Sequence, residues 1–392
     1  MTNWKTIELG EILRLSNKKS TIQNQFPVLT SSRSGLYLQS DYFKKIVASK
    51  NNVGYKIIKN GQFTYRAMSD DGYFKFNRLV NQIAGIISPA YEVFDVNENY
   101  ADATFIDYLL NSIIISSQIY SAAQGGTRLA LRFGALAKFM VKLPPLNEQK
   151  KIAEIISGID KCYKLRLDKI RKLKIIKNAL IQDYFSISTS NEWVRLGDVS
   201  DLITSGSRGW GNYYSNIGSK FVRIGNLKRD SIDMNPNSNN WKFVSLPQNV
   251  EGKRTELQKD DLLISITADL GICCVYSPNL GESYVNQHIS LVRLKEKFKP
   301  LNRFFAYFIS SDFCQNQIEL MNDSGTKAGL NLNSIRNIQL PCIQQEVAQN
   351  IFRSLDAIQL VVLRNQNLLA SLDFQKSAIA SNLLKGSKRV KV

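Results

Sequence analysis

The sequence predicts an α+β fold built from two copies of one module, in which a globular region is followed by a long helix. Three observations support this prediction. Short segments recur in the same order in the two halves, two long stretches follow a helical apolar period, and the remaining regions mix strand-like and helical patterns. The chain has 392 residues, enough for two globular domains and connecting helices.

The internal repeat consists of segments that match at a nearly constant separation, with four of them 199 positions apart. A single scattered match would be noise, whereas eight in one order indicate a duplication with a pseudo-two-fold relation. The matched pairs are Leu9-Gly10-Glu11-Ile12 with Leu196-Gly197-Asp198-Val199, Val80-Asn81-Gln82 with Val285-Asn286-Gln287, Tyr108 with Tyr307, Ser112 with Ser311, Gln118-Ile119 with Gln317-Ile318, Gly126-Thr127-Arg128 with Gly325-Thr326-Lys327, Leu143-Pro144 with Leu340-Pro341, and Asp160 with Asp356.

A long helix is predicted after each Leu-Pro pair. In the first, apolar residues recur every three or four positions, are interrupted at Arg166 and Lys169, and then resume; in the second, the spacing persists throughout and includes Asn365. We expect the two stripes to pair as an antiparallel coiled coil in which Asn365 fixes the register. The predicted helix-pairing seam comprises Ile152, Ile155, Ile159, Leu173, Ile176, Leu180, Leu355, Ile358, Val362, Asn365, Leu369 and Leu372.

These patterns divide the chain into four predicted segments: globular domains over residues 1–143 and 187–340, a central helix over 144–186 and a C-terminal helix over 341–392. Strands are predicted at Gln62 to Tyr65, Ile83 to Ile87, Leu262 to Ile266 and Ile289 to Val292, and helical pieces at Ala103 to Tyr120 and Leu301 to Leu320.

The net charge of +18 indicates a polyanionic partner. The excess is uneven, since residues 1–143 carry +7 and residues 186–339 carry only +2. We therefore expect the first region to depend more on phosphate contacts and the second more on the loop from Gly206 to Tyr214.

Composition also limits the location and the chemistry. No run of 18 apolar residues occurs and the N-terminal segment lacks the apolar core of a secretion signal, so we expect a cytoplasmic protein without a membrane partner. The five cysteines lack zinc-site spacing and are interpreted as reduced, mostly buried thiols.

Catalytic motifs are missing from the sequence. It contains no GxxxxGK[ST] loop, no GxGxxG after a strand, no Asn-Pro-Pro-aromatic tetrad, and no HExxH or GxSxG. The adjacent carboxylates Asp70-Asp71 and Asp260-Asp261 could hold a metal, but solvated turns are the favoured interpretation, and His288 is interpreted as structural. The sequence predicts a binding protein with no catalytic residues, metal or cofactor of its own.

Candidate DNA contacts are basic, hydroxyl and aromatic residues in loops, because Lys and Arg neutralise phosphates while Arg and Ser can bind base edges. The segment Ser205 to Gly211 is glycine-rich without a P-loop lysine, and we interpret it as a flexible recognition loop. Arg128 and Lys327, in the matched Gly-Thr turns, suit phosphate clamping. The predicted DNA-binding residues are Arg33, Lys44, Lys45, Arg66, Lys75, Arg78, Arg128, Ser207, Arg208, Trp210, Tyr213, Lys228, Arg229 and Lys327.

The two helix starts resemble a known family. The run from Leu143 to Ile152, Leu-Pro-Pro-Leu-Asn-Glu-Gln-Lys-Lys-Ile, closely resembles the conserved-region signature of the specificity (S) subunits of type I restriction-modification systems, and the run from Leu340 to Glu346 is a degraded copy. The Gly-Thr turns, the Val-Asn-Gln segments and the Trp…Leu-Gly openings are also similar to that family, so the resemblance spans the whole chain.

The resemblance implies that each globular region is a target-recognition domain for one half of a split, asymmetric DNA site. It implies that the helices act as a spacer and as a dock for two methyltransferase (M) subunits, in a complex that also contains restriction (R) subunits. S-adenosylmethionine, ATP and Mg are then expected in those partner subunits, and the chain itself is non-catalytic.

Two other hypotheses stay open from the residues alone. One is a stand-alone DNA-binding regulator or scaffold that homodimerises through its helices, which sedimentation of the isolated chain would reveal. The other is an unrecognised nuclease that uses Asp70-Asp71 or Asp260-Asp261, which would cleave DNA with magnesium in the absence of other subunits.

Overall fold

A computed structural model describes residues 4–43, 51–80, 82–122, 129–186, 192–206, 209–234, 240–246, 254–322 and 329–391. The chain forms two compact units. Unit 1 consists of Met1–Leu165 and Leu369–Val392, and unit 2 consists of Arg166–Leu368. Each unit therefore combines one globular region with a stretch from each of two long helices.

The globular region of unit 1 is made of short strands and short helices. Its strands are β1 (Lys5–Glu8), β2 (Leu13–Leu15), β3 (Leu29–Ser32), β4 (Gly35–Leu38), β5 (Lys56–Lys59), β6 (Phe63–Arg66), β7 (Met68–Ser69), β8 (Asn77–Arg78), β9 (Ala84–Ile87), β10 (Tyr91–Val96), β11 (Leu129–Ala130) and β12 (Met140–Leu143). Its helices are α1 (Gln39–Tyr42), α2 (Ala103–Leu110), α3 (Ile113–Ala122) and α4 (Phe133–Ala137).

The core of unit 1 lies against an antiparallel sheet in the order β2-β10-β6-β8. Phe63 and Phe94 face each other across neighbouring strands with ring centroids 5.5 Å apart, and Phe105 of α2 is buried in the same cluster. Leu383 and Leu384, from the end of the second long helix, are buried there too. The core of the first globular region therefore includes side chains from the C-terminal part of the chain.

The globular region of unit 2 has the same kinds of elements. Its strands are β13 (Trp193–Arg195), β14 (Ser200–Ser205), β15 (Tyr214–Ser215), β16 (Ser219–Val222), β17 (Lys242–Val244), β18 (Leu262–Ser265), β19 (Cys273–Val275), β20 (Ser283–Val285), β21 (Ile289–Leu294) and β22 (Gln339–Pro341). Its short helices are α6 (Asn302–Ile309), α7 (Asp312–Leu320) and α8 (Leu332–Arg336); the long helices of the chain are α5 (Leu146–Ser186) and α9 (Gln345–Lys385).

The central sheet of unit 2 has the order β14-β21-β18-β19, and every neighbouring pair is antiparallel. In both units, the four strands taken in chain order are arranged in space as first, fourth, second and third. A β1–β12 pair in unit 1 has its counterpart in the β13–β22 pair of unit 2. Outside the central sheet, unit 1 has the strand pairs β3–β4, β5–β9 and β7–β11, whereas unit 2 has a second four-stranded sheet, β15-β17-β16-β20. These matching topologies confirm the predicted internal repeat.

Several residues matched in sequence make the same contacts in both units. Tyr108 donates a hydrogen bond to Asp160 at 2.7 Å, and Tyr307 donates one to Asp356 at 2.8 Å. Each of these hydrogen bonds joins a helix of the globular region to a long helix. The sequence match between Tyr108 and Tyr307 therefore reflects the same structural role in the two units.

A third matched pair divides the helical pieces of both units. The predicted helix from Ala103 to Tyr120 is interrupted between α2 and α3, and the piece from Leu301 to Leu320 is interrupted between α6 and α7. Ser112 and Ser311 cause these breaks, because each hydroxyl donates to the carbonyl three residues earlier at 2.6 Å and accepts from an amide in the next helix. Each predicted helix is therefore two short helices.

One of the sequence matches joins residues in different positions of the fold. The strand that follows Val80-Asn81-Gln82 is β9, which pairs with β5, whereas the strand that follows Val285-Asn286-Gln287 is β21, in the central sheet. The counterpart of β21 is β10. This match therefore does not follow the structural repeat, and Asn81 itself lies outside the described residues.

Antiparallel helix pairing occurs within each unit. In unit 1, Asp160 of α5 forms an ion pair with Lys376 of α9 at 2.5 Å. In unit 2, residue numbers fall along α9 as they rise along α5. The unit 2 contacts are Arg166 to Asn365 at 3.2 Å, Lys177 to Gln359 at 2.7 Å and Tyr184 to Ser354 at 3.5 Å. The predicted antiparallel coiled coil is confirmed.

Most residues of the predicted seam are buried or half-buried, but the prediction that Ile176 belongs to the seam is wrong. Its side chain is 49% exposed, and the neighbouring Lys177 occupies the seam at 3% exposure. With 3.6 residues per turn, the buried face continues from Ile170 through Lys177 to Ile181. The buried seam residue Asn365 accepts from Arg166 and donates to the carbonyl of Val361. Its role in fixing the register stays a prediction.

Among the described residues, no helix has both the length and the apolar composition that crossing a bilayer would need.

Candidate nucleic-acid interface

A cleft of about 820 Å³ opens on unit 1 where the central sheet meets the β3–β4 hairpin. It gathers three predicted DNA contacts, Arg33, Arg66 and Lys75, which lie far apart in sequence. The rest of the lining is rich in hydroxyl, aromatic and acidic groups. These residues include Thr30, Ser31, Ser32, Tyr42, Phe43, Asp70, Asp71, Tyr73 and Tyr91.

Local structure explains how the cleft forms. Arg33 follows β3 at the hairpin turn, and Arg66 ends β6. The residues after β6 form the strand β7, which pairs with β11, the strand that follows the Gly-Thr-Arg segment of the sequence repeat. The predicted contact Arg128 directly precedes β11 in the sequence and lies outside the described residues.

Arg33 is exposed and held in place by two neighbours. Its guanidinium forms an ion pair with Asp71 and lies over the ring of Tyr73, with 5.0 Å from Cζ to the ring centroid. The Asp71 carboxylate also accepts from the Ser69 hydroxyl at 3.0 Å and from the Tyr73 amide at 3.2 Å. The hydrogen bond from Arg33 lowers the pKa of Asp71 to about 2, so the carboxylate is ionised at neutral pH.

Arg66 and Lys75 differ in how available they are. Arg66 is exposed and bonds to none of the side chains in the described ranges, which suits a phosphate contact. Lys75 is half-buried, and burial lowers its pKa while the nearby Asp107 raises it. Lys75 therefore lines the cleft and also interacts electrostatically with Asp107 within unit 1.

Arg78 is engaged within the fold of unit 1. It donates to the Gly61 carbonyl at 3.2 Å and to the Thr104 hydroxyl at 3.4 Å, and its guanidinium lies over the Phe63 ring at 5.8 Å. It does not line the cleft with Arg33 and Arg66. The predicted contacts Lys44 and Lys45 lie outside the described residues.

In unit 2, the structure corrects the prediction for Trp210. Its side chain is only 4% exposed, and its ring stacks on Phe221 with centroids 5.4 Å apart. Tyr213 packs against the same cluster. The glycine-rich sequence suggested an exposed aromatic residue, but burying the indole against Phe221 is more favourable than leaving it in water. Trp210 is a core residue, not a surface contact.

The remaining predicted contacts of unit 2 fall into two groups. Lys228 and Arg229 are exposed, and Arg229 is bound to Asp269, to the Leu270 carbonyl at 2.7 Å and to the Gln315 side chain at 2.8 Å. Ser207, Arg208 and Lys327 lie outside the described residues, as does part of the predicted recognition loop.

Lys177 is a polar seam residue that the sequence interpretation missed. Its ammonium donates to the Asp230 carbonyl at 2.5 Å and to the Gln359 side chain at 2.7 Å. Burial lowers the pKa of Lys177, while Asp230 opposes that change. The seven-residue spacing from Ile170 to Lys177 could have placed Lys177 on the buried face of α5. Lysine side chains are usually exposed, so the apolar Ile176 was predicted in the seam instead.

The carboxylate pairs considered as metal ligands have other partners. Asp71 binds Arg33, and the buried Asp261 forms a two-point contact with Arg293 at 2.9 and 2.7 Å. Asp260 accepts from Asn302 at 3.0 Å. Within the described ranges, no group of three His, Cys, Asp or Glu side chains is placed to bind a metal ion.

The single histidine and the cysteines have structural surroundings. The ring nitrogens of His288 contact the Thr267 hydroxyl at 2.9 Å and the Gln287 amide at 3.0 Å. The cysteines are free thiols, of which Cys273, Cys274 and Cys314 are buried and Cys162 and Cys342 are exposed. Burial raises the pKa of the Cys274 thiol to about 12, so it stays protonated and unreactive at neutral pH.

Comparison with known proteins follows the same two-part division. Residues 1–175 and 190–371 match the family model described as the type I restriction modification DNA specificity domain. The chain is also 23% identical over 193 residues to the type I restriction enzyme HindI specificity subunit of Haemophilus influenzae. That match covers 47% of this chain and 41% of the relative, less than half of its length.

Two solved structures share the fold over nearly the whole chain. One belongs to a study of complex assembly and conformational transition in the type I R-M system, with a TM-score of 0.59, 18% identity and 99% coverage of both chains. The other is the type I restriction-modification system S subunit from M. genitalium, with a TM-score of 0.56, 16% identity, and coverage of 97% of this chain and 96% of that one.

The family match, which spans both units, therefore confirms the predicted resemblance. Because the family is named for DNA specificity, the prediction of a specificity component rather than a catalytic one is confirmed as well. This chain belongs to the family of type I restriction-modification DNA specificity domains.

Proposed function

We propose that this chain is the sequence-recognition subunit of a type I restriction-modification complex and that it binds a bipartite, asymmetric DNA site. The observation that carries the proposal is the pair of units with one central topology and different surroundings. One shared scaffold suits two copies of the same task, and different loops suit two different half-sites.

In this proposal, catalysis belongs to other subunits. Two methyltransferase (M) subunits dock on the paired helices α5 and α9, and restriction (R) subunits complete the complex. S-adenosylmethionine binds in the M subunits, and ATP and Mg act in the R subunits. The sequence supports this division, because it lacks the P-loop and the Asn-Pro-Pro-aromatic motifs that such chemistry uses.

The alternative of a regulator that dimerises through its helices has less support. Seam residues such as Leu355 and Val362 are already buried within one chain, at 0% and 1% exposure. They are therefore not available to pair with a second copy while this packing is intact. The cytoplasmic location stays a prediction.

Sequencing of methylated DNA tests the proposed function directly. Cells that contain the partner subunits should methylate a split motif only when this chain is present, and its two halves should differ. A chain with Leu355→Ala, which weakens the core of unit 2, should reduce methylation at the whole motif, whereas an exposed change such as Arg14→Ala should not. Equal binding to random duplexes in the presence of the partners would contradict the proposal.

A further inference from the structure

The cleft of unit 1 contains an exposed ion pair whose donors and acceptors contribute little to folding. The Arg33 and Asp71 side chains are 67% and 52% exposed. An ion pair this exposed contributes little to folding, because water competes for both groups. Within the described part of the chain, the contacts of Arg33 are this carboxylate and the face of Tyr73.

Both members of the pair nevertheless have further contacts that orient them. The Arg33 guanidinium lies over the Tyr73 ring, and the Ser69 hydroxyl and the Tyr73 backbone amide donate to one oxygen of Asp71. The other oxygen of Asp71 faces Arg33. A donor fork therefore stands beside an acceptor on the open side of a cleft.

The charge of this part of the cleft argues against a simple phosphate clamp. Asp70 and Asp71 are adjacent, so two carboxylates accompany Arg33, Arg66 and Lys75. A phosphate placed at Arg33 would be repelled by Asp71, which is ionised at neutral pH. A neutral partner that offers acceptors to Arg33 and a donor to Asp71 would fit both groups.

A G·C base pair has this pattern on its major-groove edge. Guanine presents the acceptors N7 and O6, and the paired cytosine presents the N4 amino donor beside them. Arginine is the usual partner of guanine N7 and O6, and carboxylates accept from cytosine N4. We propose that Arg33 and Asp71 together read one G·C pair in the half-site bound by unit 1, with Arg33 on guanine and Asp71 on cytosine.

The corresponding region of unit 2 supplies a contrast. Arg229 also pairs with an aspartate, Asp269, which lies 199 positions after Asp70. Its guanidinium is occupied further by the Leu270 carbonyl and Gln315, so its donors serve the fold. The inference therefore concerns unit 1 alone, and it rests on the proposed function.

The test uses the full chain with its methyltransferase partners and a library of randomised duplexes. The wild-type complex should select a split motif with an invariant G·C pair in one half. Arg33→Ala and Asp71→Asn should each relax the selection at that same pair and leave the other half unchanged. Arg14→Ala, which removes an exposed arginine of unit 1 outside the cleft, should select the wild-type motif.

A base analogue then tests the atoms involved. In the selected duplex, 7-deazaguanine at the invariant position removes the N7 acceptor and should weaken wild-type binding about tenfold. The Arg33→Ala complex should bind the normal and the modified duplex equally, because the group that contacts N7 is already gone. A merely structural role of Arg33 would not produce this loss of sensitivity to one base atom.

The outcomes separate the inference from the proposed function. If the wild-type complex selects no motif, both are overturned. If it selects a motif that neither variant changes, or if Arg33→Ala weakens all duplexes equally, only the reading of a G·C pair is overturned. A tenfold effect of 7-deazaguanine that persists in Arg33→Ala would also overturn it.

Discussion

The two units share a central sheet but use its surroundings differently. Unit 1 has an open cleft with the exposed side chains of Arg33 and Arg66. Unit 2 has a second four-stranded sheet against which the buried Trp210 packs, and its Arg229 is bound by three groups of the fold. In this duplicated scaffold, the core contacts are shared by the two copies, whereas the basic residues are arranged differently in each copy.

The same comparison applies to the bridges to the long helices. The matched Tyr–Asp hydrogen bonds are the same, but Asp160 is balanced by Lys376, whereas Asp356 is balanced by Arg303. Arg303 also binds Asp233, which makes the bridge of unit 2 a larger network. The following predictions test how far the two units can be treated separately.

The largest expected effect comes from the core residues that the long helices supply. Leu384→Ala should destabilise unit 1 by about 3 kcal/mol, because it removes buried methyl groups and leaves a cavity. Leu355→Ala is the matched change in unit 2. Hydrogen exchange measured by mass spectrometry should show lost protection in unit 1 for the first variant and in unit 2 for the second. Equal loss in both units for either variant would contradict the division.

A smaller effect is expected at the two bridges. Arg303→Ala should cost about 2 kcal/mol, because it leaves the partly buried Asp233 and Asp356 without their shared cation. Lys376→Ala removes a single ion pair and should cost about 1 kcal/mol or less. Urea unfolding of the full chain compares them, and a larger loss for Lys376→Ala would reverse the proposed order.

A pH dependence is expected in unit 1. The buried Glu148 binds Arg389 and Trp4, and the hydrogen bond from Arg389 keeps its pKa below the ordinary value. A lowered folded-state pKa stabilises the unit above the ordinary carboxyl range, and this contribution is lost as the pH falls through that range. Glu148→Gln should remove about 1 kcal/mol at neutral pH and flatten the acid side of the stability curve.

The smallest expected effect concerns Arg66. Arg66→Ala should weaken binding to all duplexes by a similar few-fold factor and reduce the slope of log affinity against log salt by about 1. Salt titration of the complex with the selected and a scrambled duplex measures this change. A loss confined to the selected duplex would mean that Arg66 contacts a base and not a phosphate.

The sequence was informative where a pattern reflects local geometry. The helix starts, the strands β6, β18 and β21, and the place of Asn365 in the buried seam followed from spacing and residue type. The apolar spacing is interrupted near Arg166, so the sequence did not show which face of α5 is buried beyond that point. Ile176 was therefore predicted in the seam in place of Lys177. A buried lysine depends on partners such as Asp230, which are distant in sequence and carry no local signal.

The candidate site was harder to predict for the same reason. Arg33 and Arg66 were identified from their residue type and loop positions, but the Tyr73 and Asp71 contacts of Arg33 arise about forty residues away. Trp210 shows the reverse error, because a glycine-rich surrounding gives no information about a stacking partner such as Phe221. Loop residues need the tertiary structure before their exposure is known.

The contribution of α9 to both cores has a consequence for synthesis on the ribosome. The core of unit 2 can be completed once residues up to Leu355 and its neighbours have emerged, whereas the core of unit 1 also needs Leu383 and Leu384. The region translated first is thus the one that closes last. Until then, the buried cluster that contains Phe105 lacks these two leucines, so this is the interval in which a nascent chain would most need protection from aggregation.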